Sequence, residues 1–320
     1  MTAIPLGPGP EFDRIRAIAH RLGLAAGHLG DDCALVPDGP GQLMISTDAS
    51  IEGVHFKRAW LTPEEIGWRA TAGAVSDLAA AGARPVGVMV ALALPADSAD
   101  LAPGIMAGAG ELVHECGCVI LGGDLSAGPA ISIVVTALGR AVRPASRKGG
   151  IPGDGLWVTG ALGGSRAAVA DWEAGRAVGA EARKAFARPV PRLTAGQWLA
   201  ANGAHAMIDL SDGLAGDLRH LASASGVGAE VDLAKVPVHD AVSVAAAHGP
   251  PAAFAAQGGE DYELLAAMPS AFEDADAARF AADCGIPLTR VGALTAPGPV
   301  VFRHGEDLLD LSGFNHFAGP

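Results

Sequence analysis

Aspartates recur along this chain beside apolar runs, where a carboxylate is short of water. They are Asp31 and Asp32 in GDDCALV, Asp48 in STDAS, Asp77 in VSDLAAAGARP, Asp124 in ILGGDLS, Asp209 and Asp212 in IDLSDGL, and Glu260 with Asp261 in GGEDYELL. Burying a carboxylate without a cation or hydrogen-bond donors is costly, so this pattern points to hard cations held by oxygen. Mg2+ keeps several waters and takes one or two carboxylates plus phosphate oxygens, which suits dispersed single acids better than one dense loop. The sequence has no EF-hand loop, GxxxxGKS/T phosphate loop, HRD triplet or DFG triplet, which removes the two commonest nucleotide-handling architectures. It has only four lysines, Lys57, Lys148, Lys184 and Lys235. If the chain binds ATP, metal ions must therefore supply most of the neutralising charge. Gly122–Gly123, and Gly149–Gly150 beside Arg147, let backbone amides approach phosphates.

Each position also has a plain structural reading. Asp212 reads as an N-cap for the helical pattern 213–225, and Asp77 as a solvated acid within a helix. Asp48 and Asp124 read as turn residues after strands, and His55, between Val54 and Phe56, as a core histidine. Singly, these positions decide nothing.

The formal charge of −13 argues against a nucleic-acid surface, which needs clustered Lys and Arg to displace counterions. The start, MTAIPLGPGPEF, lacks the basic and apolar regions of a signal peptide. No run of roughly 18 uncharged apolar residues is free of breaks. A cytoplasmic chain with no nucleic-acid and no membrane partner is expected. Cys33, Cys116, Cys118 and Cys284 form no CxxC pair and no zinc spacing, and read as small reduced residues.

The elements that must carry these residues follow from periodicity. The 320 residues suit two domains. Apolar runs predict strands at Gln42–Thr47, Arg84–Leu94, Val119–Leu121 and Ile131–Leu138, with helices at Pro63–Ala81 and Ser98–Glu115. The Gly-, Pro- and cation-rich segment Arg143–Asp154 marks the boundary, giving domains 1–143 and 144–320. The second half predicts strands at Leu156–Thr159, Ala206–Ile208, Ala229–Leu233, Tyr262–Ala267 and Val300–Arg303, and helices at Pro191–Ala201, Leu214–Ser225 and Ala271–Cys284. Each half reads as a small α/β to α+β unit.

Taken in order, the series GDDCAL, STD…GVHF, SDLAA.GA.P, GGD, GD.LWVTG, ARP.PR, IDLSDGL..DL, GGEDYEL and GFNHFAGP resembles the thiamine-monophosphate kinases, within the aminoimidazole ribonucleotide synthetase-like superfamily. The similarity runs from about Glu11 to the last residue, and IDLSDGL followed by GGEDYEL is its most specific part. The resemblance implies the two-domain aminoimidazole ribonucleotide synthetase-like fold, with N-terminal domains pairing in a homodimer and ATP with several Mg2+ ions in a cleft between the domains. It implies phosphorylation of thiamine monophosphate to thiamine diphosphate. By matching motif, Asp32, Ser46, Thr47, Asp48, Asp77, Asp124, Asp209 and Asp212 are implied as metal ligands, directly or through water. Gly123, Asp124, Arg147 and Ser211 are implied at the nucleotide, and His55, Glu260 and Phe314 at thiamine monophosphate.

Two positions depart from the family pattern. Members often carry a tyrosine shortly before GGD, where this chain reads His114–Glu115–Cys116, and the C-terminal aromatic, commonly Trp or Tyr, is Phe314. A phenyl ring stacks but cannot donate a hydrogen bond. Among relatives, selenophosphate synthetases need a reactive cysteine near the N-terminus and hydrogenase-maturation proteins end in one; this chain has neither. A two-metal phosphohydrolase would also use dispersed aspartates, and a non-catalytic cation-binding protein would use them only to stabilise loops.

Overall fold

The computed structural model describes residues 17–23, 38–242 and 249–314. Asp32, with Asp31 and Cys33, and the tail beyond Phe314 lie outside the described residues. The chain divides into two compact units. One holds the residues up to Leu78 and Arg84–Val142; the other holds Ala79–Ala83 and everything from Arg143 onward.

In the first unit, residues 17–22 are helical (α1). They are followed by β1 (Gln42–Ile51), α2 (Pro63–Ala80), β2 (Arg84–Leu94), α3 (Ala102–Glu115), β3 (Val119–Ala127) and β4 (Ser132–Ala141). TPEE starts α2 as a capping box. The Glu65 carboxylate accepts the Thr62 N–H at 2.8 Å, the Thr62 hydroxyl accepts the Glu65 N–H at 3.3 Å, and Pro63 takes the first helical position. The single helix expected over Ser98–Glu115 is divided: Ala96–Leu101 is a 3-10 turn, and α3 starts just before Pro103. Proline lacks the N–H an uninterrupted helix would need there. The sheet order is β1-β4-β2-β3, with β4 antiparallel to β1 and β2, and β2 parallel to β3. Val88, Val90, Leu92, Ile133 and Val135 are buried, whereas Leu43, Ile45 and Met89 are 50%, 68% and 45% exposed.

The second unit runs β5 (Gly155–Thr159), α4 (Gly164–Glu173), α5 (Ala180–Ala187), α6 (Leu193–Ala201), β6 (Ala206–Asp209), α7 (Leu214–Ser225), β7 (Gly228–Asp232), α8 (Pro251–Ala256), β8 (Leu264–Met268), α9 (Asp274–Cys284), β9 (Leu288–Thr295), β10 (Val300–His304) and β11 (Asp307–Leu309). Its sheet has the order β11-β10-β7-β9-β5-β8-β6. Alternation along β5 supplies a core on each face. Leu156 and Val158 join Leu218 and Leu221 of α7, while Trp157 joins Leu199 of α6 and Phe280 of α9. Edge-to-face ring pairs knit the second core, Trp157 with Phe272 at 5.1 Å and Trp198 with Phe280 at 5.3 Å.

The central strand β9 was not expected from the sequence, because Gly292 in LTRVGALT reads as a turn signal. A Cβ at Gly292 would sit 2.0 Å from the Glu230 carbonyl oxygen. The glycine thus marks a close approach between β9 and β7 rather than a turn.

Candidate active site

The first unit carries Gly123 and Asp124 on β3 and gathers Ser46, Thr47, Asp48, His55 and Asp77 around β1. The strand does not stop at Thr47 but continues through Asp48 to Ile51, and β3 continues through Gly123 and Asp124 to Ala127. The turn propensity of STD and GGD is overridden by pairing: Asp48 is opposite Val135, and Gly123 is opposite Val90. A Cβ at Gly123 would sit 1.9 Å from the Val90 carbonyl oxygen, so only glycine keeps this backbone in register. The Ser46 hydroxyl donates to the Asp77 carboxylate, joining β1 to the last turns of α2. Asp77 is therefore a half-buried, partnered acid and not a solvated one. Thr47 and Thr136 hydroxyls lie 2.9 Å apart across β1 and β4, and the Asp48 carboxylate accepts the Ala49 N–H at 2.9 Å. His55 is half-buried. Its Nδ1 accepts the Ile51 N–H at 3.1 Å, which assigns the proton of the neutral ring to Nε2.

Asp48 and Asp124 lie on opposite edge strands of the four-stranded sheet. Three strand spacings separate them, about 14 Å. One Mg2+, with ligands at about 2.1 Å, cannot touch both within a single chain.

The second unit brings together residues that the sequence keeps far apart. Asp209 ends β6 and is buried, and Ser211 and Asp212 follow in the loop before α7. That helix takes Gly213 as its N-cap, so Asp212 is not the cap. The Glu260 N–H donates to the Ser211 carbonyl at 2.7 Å, Tyr262 N–H to Leu210 at 3.0 Å, Leu210 N–H to Glu263 at 2.8 Å, and Phe314 N–H to Asp212 at 2.9 Å. IDLSDGL, GGEDYEL and the start of the tail thus share one backbone network. Phe314 is 54% exposed.

Arg147 is exposed on a loop clamped by Ser225 at the end of α7. The Ser225 hydroxyl donates to the Arg147 carbonyl at 3.0 Å and accepts the Gly150 N–H at 3.1 Å. His205 Nδ1 lies 2.9 Å from buried Asp154, anchoring the far end of the loop.

Asp217 was missed from the sequence, although an acid between Leu214 and Leu218 on the buried side of a helix is itself a signal. Its carboxylate accepts the Asp212 N–H at 3.0 Å. Burial, then the charges of Asp209 and Asp212, push its carboxyl up to about 8, opposed in part by the Asp212 N–H and then by Arg147. Among the described residues no three acids, histidines or cysteines already stand at metal-binding distances from one point. The electrostatic reach of Asp209 and Asp212 is longer than a coordination bond, and Mg2+ needs only one or two carboxylates beside phosphate and water. The sign of the Asp217 effect is fixed by its raised value. The folded chain incurs a penalty that begins near the ordinary carboxylate range, grows as pH rises and is complete above about 8. With EDTA present, Asp217→Asn is expected to melt higher than wild type at pH 9 and close to it at pH 5. A lower melting temperature at pH 9 would contradict the crowding of these acids.

Burial pushes the Cys116 thiol up to about 11 and the Cys118 thiol up to about 12, so these two stay protonated near neutral pH.

Residues 30–141 match the model for AIR synthase related protein, N-terminal domain, and residues 152–304 the one for its C-terminal domain. Thiamine-monophosphate kinase of Escherichia coli K12 is 37% identical over 97% of this chain and 96% of its own length. The crystal structure of thiamine-monophosphate kinase from Stenotrophomonas maltophilia K279a superposes with a TM-score of 0.80 at 33% identity, covering 89% of this chain and 95% of that one. A structure described as AaThiL complexed with AMPPCP and TMP superposes with a TM-score of 0.76 at 29% identity, over 96% and 97% of the two chains. With 37% identity to such a kinase over 97% of its length, this chain belongs to the thiamine-monophosphate kinase family.

Proposed function

We propose that this chain transfers the γ-phosphate of ATP to thiamine monophosphate, giving ADP and thiamine diphosphate. The observation that carries the reading is the backbone network that sets Ser211 and Asp212 beside Glu260 and Phe314, so that groups suited to a metal-bound nucleotide and to a cationic aromatic acceptor share one place. Two relatives support the identities of the ligands, since one bears the enzyme's name and another was solved with AMPPCP and TMP.

The donor set fits Mg2+, because every side chain in it offers oxygen. Asp48, Asp77, Asp124, Asp209 and Asp212, the hydroxyls of Ser46 and Thr47, and Asp32 by motif would hold several ions. The raised Asp217 carboxyl is consistent with the fit: burial is the main cause of the shift, and a cation would relieve the added repulsion from Asp209 and Asp212. When bound, the ions screen two approaching polyanions and stabilise the charge on the transferring group. Arg147 and Ser211 of the second unit, and by motif Gly123 and Asp124 of the first, are assigned to the nucleotide. The Glu260 carboxylate faces a cationic thiazolium and Phe314 stacks on the acceptor, with His55 of the first unit assigned to the same ligand by motif. The acceptor phosphate, with a second pKa of about 6, is already nucleophilic near neutral pH and needs no general base. Transfer is direct and in line, without a phosphoenzyme; a trapped phospho-aspartate would overturn this.

The working form is a homodimer joined through the first unit, in the cytoplasm. Exposed Leu43, Ile45 and Met89 suit an interface between copies. No described helix is long and apolar enough to cross a membrane.

Incubation with ATP, Mg2+ and thiamine monophosphate is expected to yield thiamine diphosphate. Release of inorganic phosphate at the same rate without acceptor would point to a phosphohydrolase instead. Arg147→Lys is expected to raise the KM for ATP several-fold, because the guanidinium fork is lost; an unchanged KM would remove Arg147 from the phosphates.

A further inference from the structure

Among the described residues, Glu260 and Tyr262 are the two non-glycine residues with positive φ, 66° and 52°. Left-handed backbone is strained for such residues and persists only where the surroundings impose it. Asp261, between them, docks on a neighbouring helix. Its carboxylate accepts the Gly163 N–H at 2.7 Å and the Ser165 N–H at 3.4 Å, at the first turn of α4. The buried Ser165 hydroxyl donates back to the Glu260 carbonyl at 2.7 Å. On the other side the Glu260 N–H is held by Ser211. Glu260 is therefore gripped at both its carbonyl and its amide, and the grip begins at the neighbouring carboxylate. Burial pushes the Asp261 carboxyl up to about 7 even against the N–H groups of Gly163, Ser165 and Gly164. Such an environment is expensive for a residue that only decorates a turn.

We propose that Asp261 is a positioning residue for acceptor recognition. By docking on the amides that open α4, it holds Glu260 in the left-handed conformation that presents its side chain to the acceptor. Phosphoryl transfer does not touch Asp261 itself. The proposal rests on the reading of Glu260 as an acceptor-lining group. It assigns Asp261, Ser165 and the start of α4 to acceptor specificity.

The test is a double-mutant cycle read in steady-state constants. Asp261→Ala is expected to raise the KM for thiamine monophosphate at least about tenfold, with the KM for ATP changing less than about threefold. Asp261→Asn, which keeps an oxygen to accept the Gly163 N–H, should recover most of that loss. The deciding comparison is Asp261→Ala in a Glu260→Ala background. If Asp261 acts through Glu260, the second substitution adds almost nothing to the acceptor KM; full additivity overturns the proposal. Ser165→Ala removes the hydroxyl bond to Glu260 while leaving the Asp261 carboxylate its amides. It should raise the acceptor KM in the same direction, which keeps the test decisive should Asp261→Ala fold poorly. An acceptor KM unmoved by Glu260→Ala would instead overturn the role of Glu260. Absence of thiamine diphosphate from the wild-type reaction would overturn the proposed reaction itself.

Discussion

Asp48→Asn and Asp124→Asn are each expected to lower kcat at least about a hundredfold at saturating ATP, while Cys284→Ser stays near the wild-type rate. The magnitude follows from what the carboxylates do in the proposed reaction: a bound metal contributes several kcal/mol of transition-state charge stabilisation, and each 1.36 kcal/mol is about a factor of ten. Asn keeps the size and one oxygen of Asp but loses the charge. Both positions are exposed on paired strands, so little stability is lost with it. The fold should survive while the rate collapses, and a melting curve beside the rate assay separates the two effects. Raising Mg2+ recovers part of the loss if the defect is affinity. Near-normal rates for both variants at saturating Mg2+ would contradict the metal assignment.

The largest stability effect is expected at Arg192→Ala. Glu263 is 3% exposed and is held by the Arg192 guanidinium through two hydrogen bonds, 2.9 and 2.6 Å, and by the Thr159 hydroxyl at 2.6 Å. Burial raises the Glu263 carboxyl above its ordinary range, and the Arg192 charge opposes that shift. Removing one partner of a buried pair leaves an uncompensated charge, with a cost of about 3–5 kcal/mol. Urea denaturation should show that loss. Glu263→Gln in the Arg192→Ala background should recover part of it, since the stranded charge is gone. A loss below about 1 kcal/mol for Arg192→Ala would mean that the pair is solvated.

The aspartates were legible in the sequence because a carboxylate next to apolar residues is conspicuous wherever it falls. Their surroundings were less so. Asp48 and Asp124 looked like turn residues because STD and GGD carry turn propensity, and only pairing with Val135 and Val90 keeps those strands extended. Leu214–Ser225 was read to the residue from its apolar spacing, yet Asp217 within it went unremarked: its role depends on Asp209 and Asp212 closing in from the preceding strand and loop. The helices α4, α5 and α8 are short and Ala-rich, so their periodicity is weak, and β9 was hidden by Gly292. The hold of Asp261 on α4 lies in no local pattern, because it joins residues almost a hundred positions apart.

The hydrogen bonds that join Leu210 and Ser211 to Glu260, Tyr262 and Glu263 close a long excursion of the chain at its two ends. Everything from α7 to α8 is strung between those ends, and loop-closure entropy grows only slowly with length. Additions or deletions near Gly249, an exposed position between α7 and α8, should therefore alter the outline of the molecule without altering the distances within the site. The excursion can drift in length across descendants of this chain, or accept a grafted peptide, while the two motifs at its base remain in step.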